Sequence, residues 1–262
     1  RQSGIVHQDP SRRAIGALRE SLRPPPLSYP MSELLLELFS EEIPSRMQGR
    51  AAEDLKRLVV DGLKAQGLAV GEAISMATPR RLALVVKDVP AKSPGVSEER
   101  KGPRVGAPEQ ALAGFLKGAG LASIKDATII KDEKKGDYYV ARIEKAGRAA
   151  AEIVAEVVVE TIRKFPWPKS QRWGAGTLTW VRPLHSIVCL LGGKVVPVAV
   201  DDLAAGAMTR GHRFHGNTPF QVKSFEDYGT KLREAKVLLP ASERAAWIAE
   251  QARAAAKKAK LE

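Results

Sequence analysis

Hydrophobic positions along the chain fall into short blocks of two kinds. Leu34-Leu35-Leu36-Glu37-Leu38-Phe39 is a nearly unbroken apolar run and predicts a strand. Met47, Ala51, Leu55, Leu58, Val59 and Leu63 recur three or four apart, the stripe of a helix with one buried face. Glu41-Glu42-Ile43-Pro44-Ser45 precedes that stripe and reads as its N-terminus, where acids and an early proline are favoured. Lys64 and Gly67 suit its end. Ile74 to Ala77 and Leu82 to Val86 predict two short strands around Thr78-Pro79-Arg80-Arg81. Residues 88–108 carry Pro90, Pro94, Pro103 and Pro108 among mixed charges and read as loop or linker, with a possible sub-boundary at 90–108.

Ala111, Leu112, Phe115 and Leu116 mark a short helix ending near Gly118 or Gly120. Thr128 to Lys131 and Tyr138 to Ile143 predict a hairpin around Lys134-Lys135-Gly136-Asp137. Ile153, Val154, Val157, Val158 and Ile162 have helical spacing, so 149–164 reads as a helix despite its β-branched residues. Ile187 to Leu191 and Val195 to Val200 flank Gly192-Gly193, the clearest hairpin pattern in the chain. Strand fragments near 208–214 and 219–223, a helix near 225–234, a strand at 236–239 and a helix from about Ala241 complete the order. Strands and helices interleave, yet neighbouring strands are joined by tight turns. An α+β fold, with a mixed or antiparallel sheet and packed helices, fits this order. From Ser242 to Glu262 no glycine, proline or cap closes the last helix. The chain is therefore expected to be a fragment, with 241–262 leading into further domains.

Composition sharpens the picture. The 262 residues include 42 Lys+Arg against 30 Asp+Glu, a formal charge of +12, with 44% hydrophobic and 27% charged residues. That is enough to build a core, and the excess charge asks for an anionic partner. Cys189 is the single cysteine, which excludes a disulfide framework and a cysteine-based zinc site. No apolar run approaches the length of a membrane span, so the expectation is a soluble, cytoplasmic protein. Residues 1–30 differ from the rest, with five Arg, two acids (Asp9 and Glu20) and Pro24-Pro25-Pro26. They are expected to be extended or disordered, either a transit-type leader or an artefact of a start placed ahead of Met31. Their +3 leaves +9 for residues 31–262, so the basicity belongs mainly to the expected α+β region at 31–240.

Between Glu160 and Asp201 there is no acid, while Arg163, Lys164, Lys169, Arg172, Arg182 and Lys194 are all cationic. Phe165 to Gly174 forms a Pro/Trp/Arg loop in which Lys169 and Arg172 can hold phosphate and Trp173 can stack on a base. Equally, the tryptophans can be core anchors. Thr209-Arg210-Gly211-His212-Arg213-Phe214-His215-Gly216 is a second basic stretch, whose glycines allow close approach of backbone or phosphate. Arg80-Arg81 and Arg100-Lys101-Gly102-Pro103-Arg104 form a third group, diluted by Glu98 and Glu99. Arg80, Arg81, Lys101, Lys169, Arg172, Trp173, Arg182, Arg210, His212 and Arg213 are thus the candidate nucleic-acid contacts. Glycine-rich nucleotide loops are missing, and Glu41 and Glu42, adjacent on a helix, would point about 100° apart rather than act together. Two other readings stand beside RNA binding: a deacylase-like hydrolase using His185, His212 or His215 as base, and a purely structural scaffold.

Six blocks in order resemble the β subunit family of bacterial glycyl-tRNA synthetase. They are Leu34 to Pro44, Thr78 to Ala83, Lys101-Gly102-Pro103, Phe165-Pro166 with Lys169-Ser170 and Arg172-Trp173-Gly174, Val181-Arg182-Pro183-Leu184-His185, and Thr209 to Phe214. Residues 1–30 match nothing in that pattern, and Trp167-Pro168 adds bulk inside the fourth block. The resemblance implies a ligase that joins glycine to its tRNA with ATP and Mg bound by an α subunit, in a hetero-tetramer of two α and two β chains. It implies that this segment contributes tRNA binding and subunit assembly, with no catalytic residue or cofactor of its own. It also implies a distant likeness to the editing-type domain of the phenylalanyl-tRNA synthetase β chain. Editing itself is not expected, because a steric site for glycine excludes every larger amino acid.

Overall fold

The computed structural model describes residues 31–131 and 136–261. Expectations for residues 1–30 and for the Lys134-Lys135 turn lie outside the described residues. Twelve strands and five α-helices are described. The strands are β1 (Ser32–Ser40), β2 (Ala73–Thr78), β3 (Arg81–Val89), β4 (Val96–Arg104), β5 (Thr128–Ile130), β6 (Tyr138–Lys145), β7 (Leu184–Leu191), β8 (Lys194–Val195), β9 (Ala199–Val200), β10 (Leu203–Gly206), β11 (Met208–Thr209) and β12 (Phe220–Gln221). The helices are α1 (Ser45–Ala65), α2 (Glu109–Ala119), α3 (Ala150–Arg163), α4 (Phe225–Glu234) and α5 (Ala241–Lys258).

A seven-stranded sheet in the order β2-β3-β1-β7-β10-β9, with β8 on β7, organises the fold. Its pairings are antiparallel except for β10 on β7, so the sheet is mixed, as the α+β reading expects. β1 lies at the centre and is buried from Leu34 to Ser40. That burial explains the unbroken apolar run: a strand covered on both faces has no solvent side to alternate with. Leu34, Leu36 and Leu38 pack toward α1 and α3 with Leu55, Val59, Ile153 and Val158. Leu35 packs on the opposite face with Val188, Tyr228 and Leu232, the last two from α4. Glu37 lies on that second face by strand alternation.

Gly67, at φ +82°, terminates α1: its N–H and that of Leu68 bond back to the Lys64 and Leu63 carbonyls. This is the left-handed C-terminal motif that glycine adopts without strain. Gly120, at φ 68°, ends α2. α2 packs against a separate three-stranded sheet, β4-β6-β5, through Phe115, Ala119 and Ala141.

Three expectations need correction. Residues 96–104 form β4 rather than loop, because an edge strand tolerates charge and proline: Pro103 falls at the register shift between Lys101 and Arg104. Residues 236–239 are not a strand. Lys236 takes φ +66° and, with Val237, closes α4 through bonds to the Arg233 and Leu232 carbonyls, after which Leu239 is buried with Leu35, Val188 and Leu232. The expected strand at 208–214 shortens to β11, since the chain turns away after Thr209.

Candidate nucleic-acid interface

The Thr209–Gly216 segment is held from below by a buried ion pair. Glu37 and Arg81 are 0% and 2% exposed, and the Arg81 Nε donates to Glu37 Oε2 over 3.1 Å. Thr209 Oγ1 and Tyr228 Oη also donate to the Glu37 carboxylate. Burial and the neighbouring Glu37 charge hold the Tyr228 phenol well above its ordinary range, so it stays a donor. The second guanidinium arm of Arg81 donates to the Arg210 carbonyl at 2.7 Å. A charge buried this deeply needs polar partners, and here one of them is the loop's own backbone.

Above that pair the loop closes on itself. Gly211 N–H donates to Gly216 O, Gly216 N–H to His212 O, and His212 N–H to Ala235 O. His212 Nδ1 accepts from the backbone N–H groups of Phe214 and His215, and its ring stacks on His215 with centroids 4.7 Å apart. His212 is therefore a loop-closing residue. Arg210 and Arg213 remain exposed, the former donating to Asn217 O at 3.2 Å.

Thr78–Arg81, His185 and Thr209–Phe214 meet around two adjoining clefts that share Arg80 and Arg213, while Arg182 lines neither. Glu41 joins them: it accepts from Arg80, Arg213 and His185 Nε2, the last at 2.9 Å. Glu42 pairs with Arg213 at 3.1 Å. These acids are thus tied to arginines. They do not serve the N-terminus of α1, whose first turn contains no acid. Arg80 also lies over the Phe39 ring, 4.7 Å from its centroid.

The hydrogen bond from His185, then the charges of Arg80 and Arg213, hold the Glu41 carboxyl below its usual range. A depressed carboxylate stabilises the fold above the ordinary glutamate range, and the contribution is lost as pH falls through the depressed value. Glu41→Gln is therefore expected to be less stable than the parent near neutral pH. The difference should shrink as pH falls from about 6 to about 3, as read from urea midpoints.

The other candidates lie elsewhere. Lys169 and Arg172 are exposed in the Phe165–Trp180 loop, whose Trp167, Trp180 and Phe165 rings form a cluster with centroids 4.7–5.0 Å apart. Trp180 is fully buried and Trp173 half-buried against the core, so these tryptophans are packing anchors. Arg182 is exposed just before β7, with its guanidinium on its own preceding carbonyl. Lys101 stands on β4, its ammonium 3.9 Å above the Tyr138 ring. Arg81 was a candidate contact, but its guanidinium is enclosed and acts through the loop it supports. Among the described residues no histidine bonds to a serine, threonine or cysteine, and no three His, Cys, Asp or Glu gather as metal ligands. Burial pushes the Cys189 thiol up to about 12.

Comparison with known proteins adds an independent line. Residues 34–262 match the family described as glycyl-tRNA synthetase beta subunit. The chain is 56% identical over 222 residues to the glycine–tRNA ligase beta subunit of Ruegeria sp. (strain TM1040), covering 83% of this chain and 32% of that protein. It is 54% identical over 226 residues to the same subunit of Paracoccus denitrificans (strain Pd 1222), covering 85% and 33%. The chain thus spans about a third of the length of these curated relatives. With the family pattern running from the central strand β1 through α5, and the buried pair and the arginine loop both inside it, the chain belongs to the glycyl-tRNA synthetase β subunit family.

Proposed function

We propose that this chain is the amino-terminal part of the β subunit of a glycine–tRNA ligase, contributing tRNA binding and subunit assembly. The joining of glycine to tRNA, with its ATP and Mg, takes place on the α subunit of a cytoplasmic assembly of two α and two β chains. Residues 31–240 form the α+β region, distantly like the editing-type domain of the phenylalanyl-tRNA synthetase β chain but without editing. From 241 on, α5 leads into domains further along the subunit.

One observation carries the tRNA reading: exposed Arg210 and Arg213 border a cleft that the family-matching segments build together, on a loop fixed by a buried ion pair. Phosphate contacts release counterions, so affinity for tRNA falls as salt rises. Filter binding of glycine tRNA to the α/β assembly, at several salt concentrations, tests this. Each of Arg210→Gln and Arg182→Gln is expected to weaken binding and to flatten the log–log salt slope by about one. Slopes identical to the parent in both variants would sink the reading. The Glu41 and Glu42 pairing of Arg80 and Arg213 favours a second, structural reading for those two arginines. Under that reading Arg80→Gln lowers the urea midpoint and leaves the salt slope unchanged.

A further inference from the structure

We infer that Phe214 is a stacking platform for an unpaired nucleobase of the bound RNA. The inference rests on the tRNA-binding reading and names the part of the RNA that this loop recognises. Phe214 is 81% exposed, the most exposed large hydrophobic side chain among the described residues. Such exposure is unremarkable on a loose loop, but this loop is fixed. The Arg210 carbonyl is held by buried Arg81, His212 N–H by Ala235 O, and the Phe214 N–H itself by His212 Nδ1. The backbone that carries the ring is therefore ordered before any partner arrives, which lowers the entropy lost on binding.

The surroundings select the partner. Phe214 borders the same cleft as Arg80, Arg213, Lys236 and Arg244, and its chain neighbours are Arg213 and His215. An apolar protein surface would want a contiguous apolar patch around the ring, whereas here Arg80, Arg213, Lys236, Arg244 and Glu42 interrupt the apolar lining of Pro79, Val237 and Leu238. A nucleotide fits both features at once: its base offers a π face to the ring and its phosphate an anion to exposed Lys236 in the same cleft. Duplex RNA keeps its bases stacked and paired, so the occupant is a single-stranded stretch.

Filter binding of glycine tRNA to the full α/β assembly reads the effect. Phe214→Ala is expected to weaken binding by between about 5- and 150-fold, the range for loss of one base–aromatic stack, with the salt slope unchanged. Phe214→Trp should bind as the parent does, and Phe214→Leu as weakly as Ala, because leucine keeps the apolar bulk and loses the π face. A fully paired RNA duplex should show no difference between Phe214 and Ala. The inference is overturned if Phe214→Ala binds tRNA like the parent while the parent retains its steep salt dependence. It is equally overturned if leucine substitutes fully for phenylalanine, which would mark an apolar protein contact. A parent assembly whose tRNA binding ignores salt would overturn the broader reading, and this inference with it.

Discussion

Arg81→Met is expected to lower the stability of the domain by about 3–5 kcal/mol, the cost of stranding a buried charge. Glu37 is fully enclosed, and once Arg81 is gone only Tyr228 and Thr209 remain to face its carboxylate. Hydroxyl donors soften a buried charge and do not neutralise it. Glu37→Leu alone should cost a similar amount, since it leaves the guanidinium unpaired between β1 and β3. The double variant Glu37→Leu, Arg81→Met removes both charges and should recover much of the loss, because the pair's mutual attraction only roughly repays its desolvation. Urea unfolding of the four proteins completes the cycle. A single-variant loss under about 1 kcal/mol would place the pair in the weak class of solvated ion pairs and remove it as the loop's anchor. The functional consequence is separable: Arg81→Met frees the Arg210 carbonyl, so tRNA affinity should fall although Arg81 itself is almost wholly buried.

That anchor was the part of the site least legible in the sequence. Glu37 sits in an apolar run, and its partners are 44, 172 and 191 residues away along the chain. Local patterning reports which face a residue occupies and is silent about partners brought by topology. It could register Glu37 only as an acid out of place among leucines. The frame was far more readable: the β1 run, the α1 stripe with Gly67, the Gly192-Gly193 turn and α4 at Phe225–Glu234 all stand where periodicity and turn chemistry put them. β4 was missed because an edge strand needs neither alternation nor freedom from proline. Glu41 and Glu42 were assigned to a helix terminus because a neighbouring helix is visible in sequence, whereas Arg213 is brought to them from 172 residues beyond Glu41. The tryptophans show the same asymmetry: Trp180 as a core anchor follows from bulk alone, while exposure of Phe214 depends on a loop conformation that only tertiary hydrogen bonds define.

Gly216→Ala and Gly211→Ala are expected to displace the loop without touching a charge. A methyl group at position 216 would lie 2.5 Å from Ala235 O, and one at 211 would lie 2.4 Å from Gly216 O and 2.3 Å from the Ala235 side chain. Backbone oxygens cannot swing aside as a side chain end can, so the loop must lift from the C-terminus of α4. His212 N–H then loses its bond to Ala235 O. Overpacking of this kind costs about 1–3 kcal/mol, seen as a lower urea midpoint. The larger effect is on recognition, because Arg210, Arg213 and Phe214 move together. Either variant should weaken tRNA binding more than Arg210→Gln alone, and adding Phe214→Ala to Gly216→Ala should cost far less than it does in the parent. That non-additivity is the discriminating measurement. If the two substitutions add fully, the glycines set local stability only, and the loop does not present its side chains as one rigid unit.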